Sequence, residues 1–335
     1  MKTFKEDFFN VENFVLYKKR YDFLPAHTKG SIWNICYNVN NTYIPAMGVS
    51  AISIIKNNPN HNFIIHIFTD GYTPDNEVKV QEMARLYHCC CILYTLDMQP
   101  FSEFHIKVKR FSHITYVRLY IPKILRGIAS RCLYIDADAI CINSLECLFQ
   151  YDLQGKAIGA VSESPNDVEY RSKFLHLKSH KYFNDGILLV DVNEWEKEHI
   201  TEKCFSYQCE PPERFLGQSQ DIINLVFDGT NCFLPSAYNF DSNNKDINST
   251  ICIVHWRGRR KPWQMVLHQF DEQWRLYNEE SPWDTITNVL PVKNPDNYHD
   301  FKFWGQYQKD QGNWSGYFIG LFWYSWLRIR YKLHI

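Results

Sequence analysis

The chain has almost no net charge, because 36 Lys and Arg residues balance 37 Asp and Glu residues and leave −1 at pH 7. A protein without a basic field does not attract nucleic acid through its overall charge, so we predict no nucleic-acid partner. The eleven cysteines include no C-x-x-C pair, and Cys89, Cys90 and Cys91 are consecutive. This spacing suits neither a zinc site nor a disulfide framework. We therefore expect reduced thiols that act as small buried side chains.

Long apolar runs are also missing. The first residues, MKTFKEDFFNVENF, lack the continuous apolar core of a signal peptide, which predicts a cytoplasmic protein. Residues 317–327 (YFIGLFWYSWL) are apolar or aromatic, but a bilayer span needs about twenty such residues. Arg328, Arg330 and Lys332 follow, and aromatic residues beside cations are typical of a membrane interface. A terminal helix packed on the body of the protein is the alternative, and both hypotheses stay open here.

The composition is typical of a globular protein, with 45% hydrophobic and 22% charged residues. Strand and helix patterns alternate along the chain. Apolar runs at residues 31–39, 62–68 and 89–96 predict strands, and helical spacing at residues 43–56 and 75–87 predicts helices. This order predicts a parallel sheet covered by helices. Ligands of such sheets bind beyond the carboxyl ends of the strands, so residues after each run are candidates for a site.

A fourth apolar run, at residues 131–135, ends in Asp136, Ala137 and Asp138. Side chains alternate along a strand, so we expect both carboxylates to point the same way past the small Ala137. Two carboxylates at a strand end can hold a divalent cation, and that cation can clamp a diphosphate leaving group. Haloacid-dehalogenase-like phosphatases also carry D-x-D, with the first Asp as nucleophile. Their motif opens the chain, whereas three predicted strands come first here, so that alternative is disfavoured but open.

His255 follows the apolar run at residues 251–254 and precedes Gly258 and Lys261 at three-residue intervals. A neutral imidazole can add a third ligand to a pair of carboxylates. Gly258 permits close backbone approach to a phosphate, and Lys261 supplies a point charge for it. The constellation predicts a metal–diphosphate site.

These motifs occur in an order that resembles glycosyltransferase family 8, particularly its lipopolysaccharide core glucosyl- and galactosyltransferases. The resemblance runs from about Ile32 to Trp263 and extends through Ser281-Pro282-Trp283 to the aromatic and basic tail. The four motifs that carry it are LYIDAD at 133–138, YFNDGILLV at 182–190, Gln220-Asp221, and H-x-x-G-x-x-K-P-W at 255–263.

The resemblance implies a GT-A fold, which is a nucleotide-binding α/β domain with a mixed sheet, at residues 31–265. Residues 1–30 are predicted as an N-terminal extension, and residues 266–335 as a helical, membrane-associating C-terminal extension. The resemblance implies that Mn²⁺, or Mg²⁺, is held by Asp136, Asp138 and His255. Donor binding is implied for Asn40, Tyr43, Asp136, Ala137, Asp138, Gly258 and Lys261, with Tyr43 stacking on uracil and Gly258 and Lys261 at the diphosphate.

The same resemblance implies a catalytic role for Arg118, Asn184 and Gln220, which match residues around the donor sugar. Family members retain the anomeric configuration, so UDP-α-hexose would give an α-glycoside. Either a covalent intermediate or same-face substitution could achieve this. An amide oxygen carries no charge and is a poor nucleophile, so we favour same-face substitution with Gln220 positioning the sugar.

Two residues depart from the family pattern. Asn40 and Ser219 stand where the family commonly has Asp, the first facing the uracil and the second contacting hydroxyls of the donor sugar. Asn can still bond the uracil edge.

The leading hypothesis is transfer of glucose or galactose from a UDP-sugar to the lipopolysaccharide core, by a protein on the cytoplasmic face of the inner membrane. The alternatives are a protein or soluble glycan acceptor, and a catalytically silent UDP-sugar binder, which Ser219 motivates.

Overall fold

A computed structural model describes residues 10–26, 31–106, 112–244, 250–258, 260–284 and 290–334. The chain forms two compact units, Met1–His255 and Trp256–Ile335. The first unit therefore ends before the limit at residue 265 that we predicted for the catalytic domain, and the predicted domain limits remain predictions. Residues 1–9 and 27–30 of the predicted N-terminal extension lie outside the described residues.

An eight-stranded sheet forms the centre of the first unit, in the order β1-β4-β3-β2-β5-β8-β7-β9. Strands β2, β3, β4 and β5 are mutually parallel neighbours, as predicted, whereas β8 runs antiparallel to both β5 and β7. The sheet is therefore mixed. Its strands are β1 Val15–Asp22, β2 Ile32–Asn38, β3 Asn62–Thr69, β4 Cys90–Leu96, β5 Arg131–Ile135, β7 Ile158–Ser162, β8 Phe183–Asp191 and β9 Cys232–Phe233.

The predicted strands at residues 31–39, 62–68 and 89–96 are confirmed, as are the predicted helices, which are α2 Ile44–Asn57 and α3 Pro74–Leu86. Proline at the first turn of each helix fits the backbone there and removes no intrahelical bond. Strand β1 was not predicted, since residues 1–30 show no clear period. It is an edge strand, antiparallel to β4, and most of its side chains are exposed, so the alternation that marks a half-buried strand is missing.

Short helices connect the later strands of the first unit. Three strands that follow β5 in the sequence form a second sheet, in the order β10-β11-β6. These strands are β6 Ala139–Cys141, β10 Phe240–Asp241 and β11 Ile253–His255. The remaining helices of this unit are α1 Val11–Phe14, α4 Ile121–Leu125, α5 Glu146–Phe149, α6 Pro165–Phe174, α7 Val192–Lys197, α8 Ile200–Ser206 and α9 Ser219–Val226. Most apolar side chains of β2, β3, β5 and β8 are buried and form the core.

The second unit contains α10 Gln269–Glu279, α11 Tyr298–Asp310 and α12 Trp314–Leu333. Helices α11 and α12 cross closely, because a Cβ atom added to Gly320 would lie 2.5 Å from the Cα of Gly305. Gly320 therefore cannot carry a side chain without separating the helices, and a Cβ atom on Gly305 would lie only 3.2 Å from the Cα of Gly320. Among the helices that the structure describes, none has the length and apolar character to cross a membrane.

Helix α12 packs on α11 through one face and exposes apolar side chains on another. Gly316, Gly320 and Leu327 are buried at helical spacing. An exposed row, which we call the apolar stripe, consists of Phe318, Phe322, Trp326, Ile329 and Leu333. The tail thus contains a packed terminal helix that also leaves a large apolar surface in solvent.

Candidate functional site

Strand pairing explains why motifs far apart in the sequence meet at one edge of the sheet. The C-terminal end of β5 lies beside the N-terminal end of the antiparallel β8, where Ile135 pairs with Ile187. The backbone N–H of Asp136 extends this pairing with a 2.8 Å bond to the carbonyl of Gly186. The D-x-D motif is thereby placed next to the Asn184-Asp185-Gly186 segment.

A turn, and not a strand, carries the two acids of the D-x-D motif. Strand β5 ends at Ile135, and the N–H of Ala139 bonds to the carbonyl of Asp136 at 3.1 Å. Our expectation that these residues continue the strand is therefore wrong, although the two carboxylates do converge, through the turn and not through strand alternation. The turn leads into β6, where Ala139 pairs with His255 of β11, and this pairing brings the imidazole to the acids.

The three predicted metal ligands lie close together. The Nε2 atom of His255 is 3.3 Å from Oδ1 of Asp138 and 3.8 Å from Oδ2 of Asp136. One ligand atom from each residue lies within 4.8 Å of the other two. This is an oxygen–oxygen–nitrogen donor set that fits a divalent cation such as Mn²⁺.

A chain of amide groups fixes which nitrogen of His255 carries the proton. Oδ1 of Asn184 accepts the backbone N–H of Gly186 at 3.0 Å, so it also accepts Nδ2 of Asn239, at 2.8 Å. The amide oxygen of Asn239 must then face Nδ1 of His255, 3.0 Å away. Nδ1 is therefore the donor, and the lone pair of Nε2 faces the carboxylates. Three acceptor atoms that converge in this way fit a bound cation.

The second oxygen of Asp136 is occupied by two donors. The phenol of Tyr134 lies 2.6 Å from Oδ1, and Nη2 of Arg118 lies 3.0 Å from the same atom. Burial raises the pKa of the Tyr134 phenol, so this group stays protonated and donates. Both donors orient the carboxylate so that Oδ2 faces His255.

Arg118 is buried and connects Asp136 to a second carboxylate, that of Asp185. Its Nη1 atom lies 2.8 Å from the carbonyl of Asp185 and 2.9 Å from Oδ1 of the same residue. Burial raises the pKa of the Asp185 carboxyl to about 6, although the guanidinium opposes this shift. Asp185 was not among our predicted site residues, even though it lies inside the YFNDG motif.

Gln220 and Asn184, both predicted to surround the donor sugar, contact each other. Nδ2 of Asn184 donates to Oε1 of Gln220 at 3.2 Å, and the backbone N–H of Asp185 donates to the same oxygen at 3.3 Å. Nε2 of Gln220 donates to the hydroxyl of Tyr182 at 3.1 Å and to Oε1 of Glu163 at 3.3 Å. The Gln220 amide is thus held from both ends.

Sequence reasoning missed Glu163, Tyr134 and Asn239. Glu163 follows directly on β7, and an acid after an apolar run was the signal that could have identified it. Nothing in the sequence around Asn239 distinguishes it from other asparagines. Gly186 is a further requirement of the site, because a Cβ atom there would lie 2.4 Å from Cε1 of His255.

The other predicted residues are distributed over both units. Asn40 accepts the backbone N–H of Tyr43 and begins a short 3₁₀ turn just after β2. This position is at the C-terminal end of a strand that pairs in parallel with β5. Gly258 and Lys261 belong to the second unit, where Nζ of Lys261 donates to the carbonyl of Trp256 at 2.6 Å. The ligand-binding roles of these four residues stay predictions.

Comparison with known proteins identifies the family. The family model described as glycosyl transferase family 8 matches residues 34–266. A putative glycosyltransferase of Haemophilus influenzae is 29% identical over 69% of this chain and 72% of its own length. A lipopolysaccharide 1,2-glucosyltransferase of Escherichia coli is 27% identical over 79% of this chain and 83% of its own length. A lipopolysaccharide 1,3-galactosyltransferase of Salmonella typhimurium is 22% identical over 88% of this chain and 92% of its own length.

A solved structure supports the same fold. The galactosyltransferase LgtC, in complex with donor and acceptor sugar analogues, superposes with a TM-score of 0.66 at 20% identity, over 74% of this chain and 96% of its own. The predicted GT-A fold is therefore confirmed, and the phosphatase alternative is wrong. The family model covers most of the chain and spans the D-x-D turn, the Asn184 segment, Gln220 and His255. The chain therefore belongs to glycosyltransferase family 8.

Proposed function

We propose that the protein is a retaining hexosyltransferase that moves glucose or galactose from a UDP-sugar to the lipopolysaccharide core and forms an α-linkage. The observation that carries this proposal is the convergence of three acceptor atoms from Asp136, Asp138 and His255, linked through Asn239 to Asn184. Two similar proteins are named as lipopolysaccharide transferases, one for glucose and one for galactose, which supports this acceptor and this range of donors.

In this proposal Asp136, Asp138 and His255 hold Mn²⁺ or Mg²⁺. Such a cation would neutralise charge on the diphosphate leaving group. Arg118 and Tyr134 keep the Asp136 carboxylate in the required orientation through their bonds to Oδ1. Because the guanidinium is buried and already bonded, it contributes a fixed positive charge that needs no reorganisation.

The remaining predicted donor residues complete the nucleotide site in this proposal. Asn40 and Tyr43 would contact the uracil, and Ala137 would allow the nucleotide to lie close to the D-x-D turn. Gly258 and Lys261 would bind the diphosphate through close backbone approach and a point charge. These assignments rest on the family resemblance.

The contacts of Gln220 favour same-face substitution over a covalent intermediate. Its amide oxygen is uncharged and accepts two N–H donors, from Asn184 and from the backbone of Asp185. Both properties lower its nucleophilicity. We therefore assign Gln220 and Asn184 to positioning the sugar, while the leaving phosphate helps to deprotonate the acceptor hydroxyl.

We further propose that the protein acts at the cytoplasmic face of the inner membrane through its C-terminal tail. The apolar stripe of α12 exposes Phe and Trp side chains, and Arg328, Arg330 and Lys332 lie on the same helix. Aromatic and basic residues together suit the boundary between acyl chains and anionic headgroups. A lipid-linked acceptor would be presented at this boundary.

The test is transfer to truncated lipopolysaccharide from UDP-glucose, UDP-galactose and UDP-N-acetylglucosamine in the presence of Mn²⁺. Exchanging Asp138→Asn removes a charged ligand, so we expect metal-dependent transfer to fall at least about 100-fold. Asp152→Asn is the matched control, because Asp152 is an exposed aspartate outside the site. Circular dichroism of both variants shows whether the fold is retained.

Each other outcome has a defined meaning. Unchanged metal-dependent turnover in Asp138→Asn would remove this residue from the ligand set. Transfer to a protein or a soluble glycan, but not to lipopolysaccharide, would replace the acceptor in the proposal. Binding of UDP without turnover of any donor would establish a catalytically silent binder, which Ser219 motivates.

A further inference from the structure

Asp185 is the residue that joins the two halves of the candidate site. On one side its carbonyl and carboxylate bind Arg118, which in turn binds the predicted metal ligand Asp136. On the other side its backbone N–H binds the amide oxygen of Gln220. A shift at Asp185 would therefore be felt both at the cation and at the sugar.

The carboxylate of Asp185 has a second partner, the hydroxyl of Ser219, which begins α9. The Ser219 hydroxyl donates to Oδ2 at 2.9 Å, and both side chains are buried. A buried carboxylate needs hydrogen bonds or an opposite charge to remain ionised, and here Ser219 and Arg118 supply one each. The side chains at positions 185 and 219 thus occupy adjacent places beside the same guanidinium.

The Asp185 carboxylate balances part of the positive charge of Arg118. Arg118 carries one positive charge between Asp136 and Asp185. Without the Asp185 charge, the guanidinium would be neutralised by Asp136 alone, which the proposed cation also needs. The negative charge at this place therefore keeps Asp136 available to the cation, and it keeps Arg118 in one orientation.

We infer that Asp185 is a positioning residue for the proposed sugar transfer, whose carboxylate holds Arg118 while Ser219 holds the carboxylate. Because the two side chains touch, the charge works from either position, so an aspartate at 219 replaces one at 185. This inference rests on the proposed function. It also accounts for the absence of an acid at position 219, because Asp185 of β8 supplies the negative charge next to Ser219.

The experiment is a charge swap in the full chain. The variants are Asp185→Ser, Asp185→Asn, and the double variant Asp185→Ser with Ser219→Asp. The backbone bonds of residue 185 persist in all of them, so the carboxylate alone is tested. Asp191→Asn is the matched control, because Asp191 lies at the other end of β8 and caps α7, where Asn caps equally well.

Two quantities are measured: kcat and KM for the donor, and the affinity for Mn²⁺ by titration calorimetry. We expect Asp185→Ser and Asp185→Asn to lower kcat/KM about 100-fold, as a misplaced catalytic group does. Both should also weaken Mn²⁺ binding. The double variant should recover at least about tenfold of the lost kcat/KM together with the Mn²⁺ affinity, whereas Asp191→Asn changes neither.

The result that overturns the inference is a double variant no better than Asp185→Ser, or single variants with unchanged kcat/KM and Mn²⁺ affinity. If Asp185→Ser does not fold, the nearly isosteric Asp185→Asn decides the single-variant arm. If the unaltered protein transfers no sugar, the proposed function fails, and the order of Mn²⁺ affinities still decides the role of Asp185.

Discussion

At the scale of single residues, Asn239 determines which nitrogen of His255 is available to a cation. Its amide oxygen accepts the Nδ1–H of His255, and its amide nitrogen is fixed by Asn184. Partners of this kind orient a metal-binding imidazole and raise its basicity. We predict that Asn239→Ala lowers Mn²⁺ affinity about 10- to 100-fold, measured by titration calorimetry.

Asn231→Ala provides the comparison for Asn239, because Asn231 is equally buried but bonds to the neighbouring carbonyl of Cys232. It should leave Mn²⁺ affinity unchanged. Equal Mn²⁺ affinities in Asn239→Ala and the unaltered protein would show that His255 is oriented without this amide, or is not a ligand.

At the scale of elements, helix α12 combines a packed face with the apolar stripe on an exposed face. Contact between Gly305 and Gly320 holds the helix against α11, so the stripe is presented on a fixed support. We predict that Phe318→Ser together with Phe322→Ser lowers binding to vesicles with anionic lipids by about tenfold or more, measured by co-sedimentation.

The control for this pair is Val78→Ser with Leu86→Ser, which removes two exposed apolar side chains from α3. Vesicle binding should be unaffected by that change. Equal loss in both double variants would mean that general surface hydrophobicity, and not the apolar stripe, attaches the protein to lipid.

At the scale of the whole molecule, His66 in β3 makes stability depend on pH. Burial lowers the pKa of His66 to about 3, and its neutral ring bonds to Asn34 and Tyr94. The unfolded chain, with an ordinary pKa near 6.5, binds a proton that the folded chain does not bind. The free energy of unfolding therefore falls as the pH drops below about 6.5, by about 2 kcal/mol at pH 5 from this residue.

His66→Gln tests this dependence, because an amide can keep both hydrogen bonds but takes up no proton. Urea unfolding at pH 7 and pH 5 should show a smaller loss of unfolding free energy for the variant than for the unaltered protein. The same loss in both proteins would show that His66 does not control the acid sensitivity.

How much of this architecture the sequence predicts depends on how local the signal is. Strands β2, β3 and β4 and the helices between them follow from apolar periodicity within each segment. Strand β1 has little buried surface and hence no pattern. The apolar residues of β5 and β6 flank the D-x-D turn on both sides, so the sequence pattern predicts a continuous strand where the chain in fact turns.

The candidate site divides in the same way. Asp136, Asp138 and His255 follow apolar runs directly, so position in the sequence identifies them. Glu163 follows β7 directly and carries the same local signal, whereas Asn239 enters the site through a hydrogen bond to the distant Asn184, and such a pairing leaves no local pattern. A residue is therefore predictable where it directly follows an apolar strand, and not where only a hydrogen bond from a distant segment brings it to the site.

The D-x-D turn joins the eight-stranded sheet to the three-stranded sheet, because β5 enters it and β6 leaves it. Asp136 extends from the larger sheet, while His255 closes a strand of the smaller one. A cation bound by both residues would therefore cross-link the two sheets. Metal binding would then stabilise the first unit as a whole, because a filled site would hold the smaller sheet to the larger one.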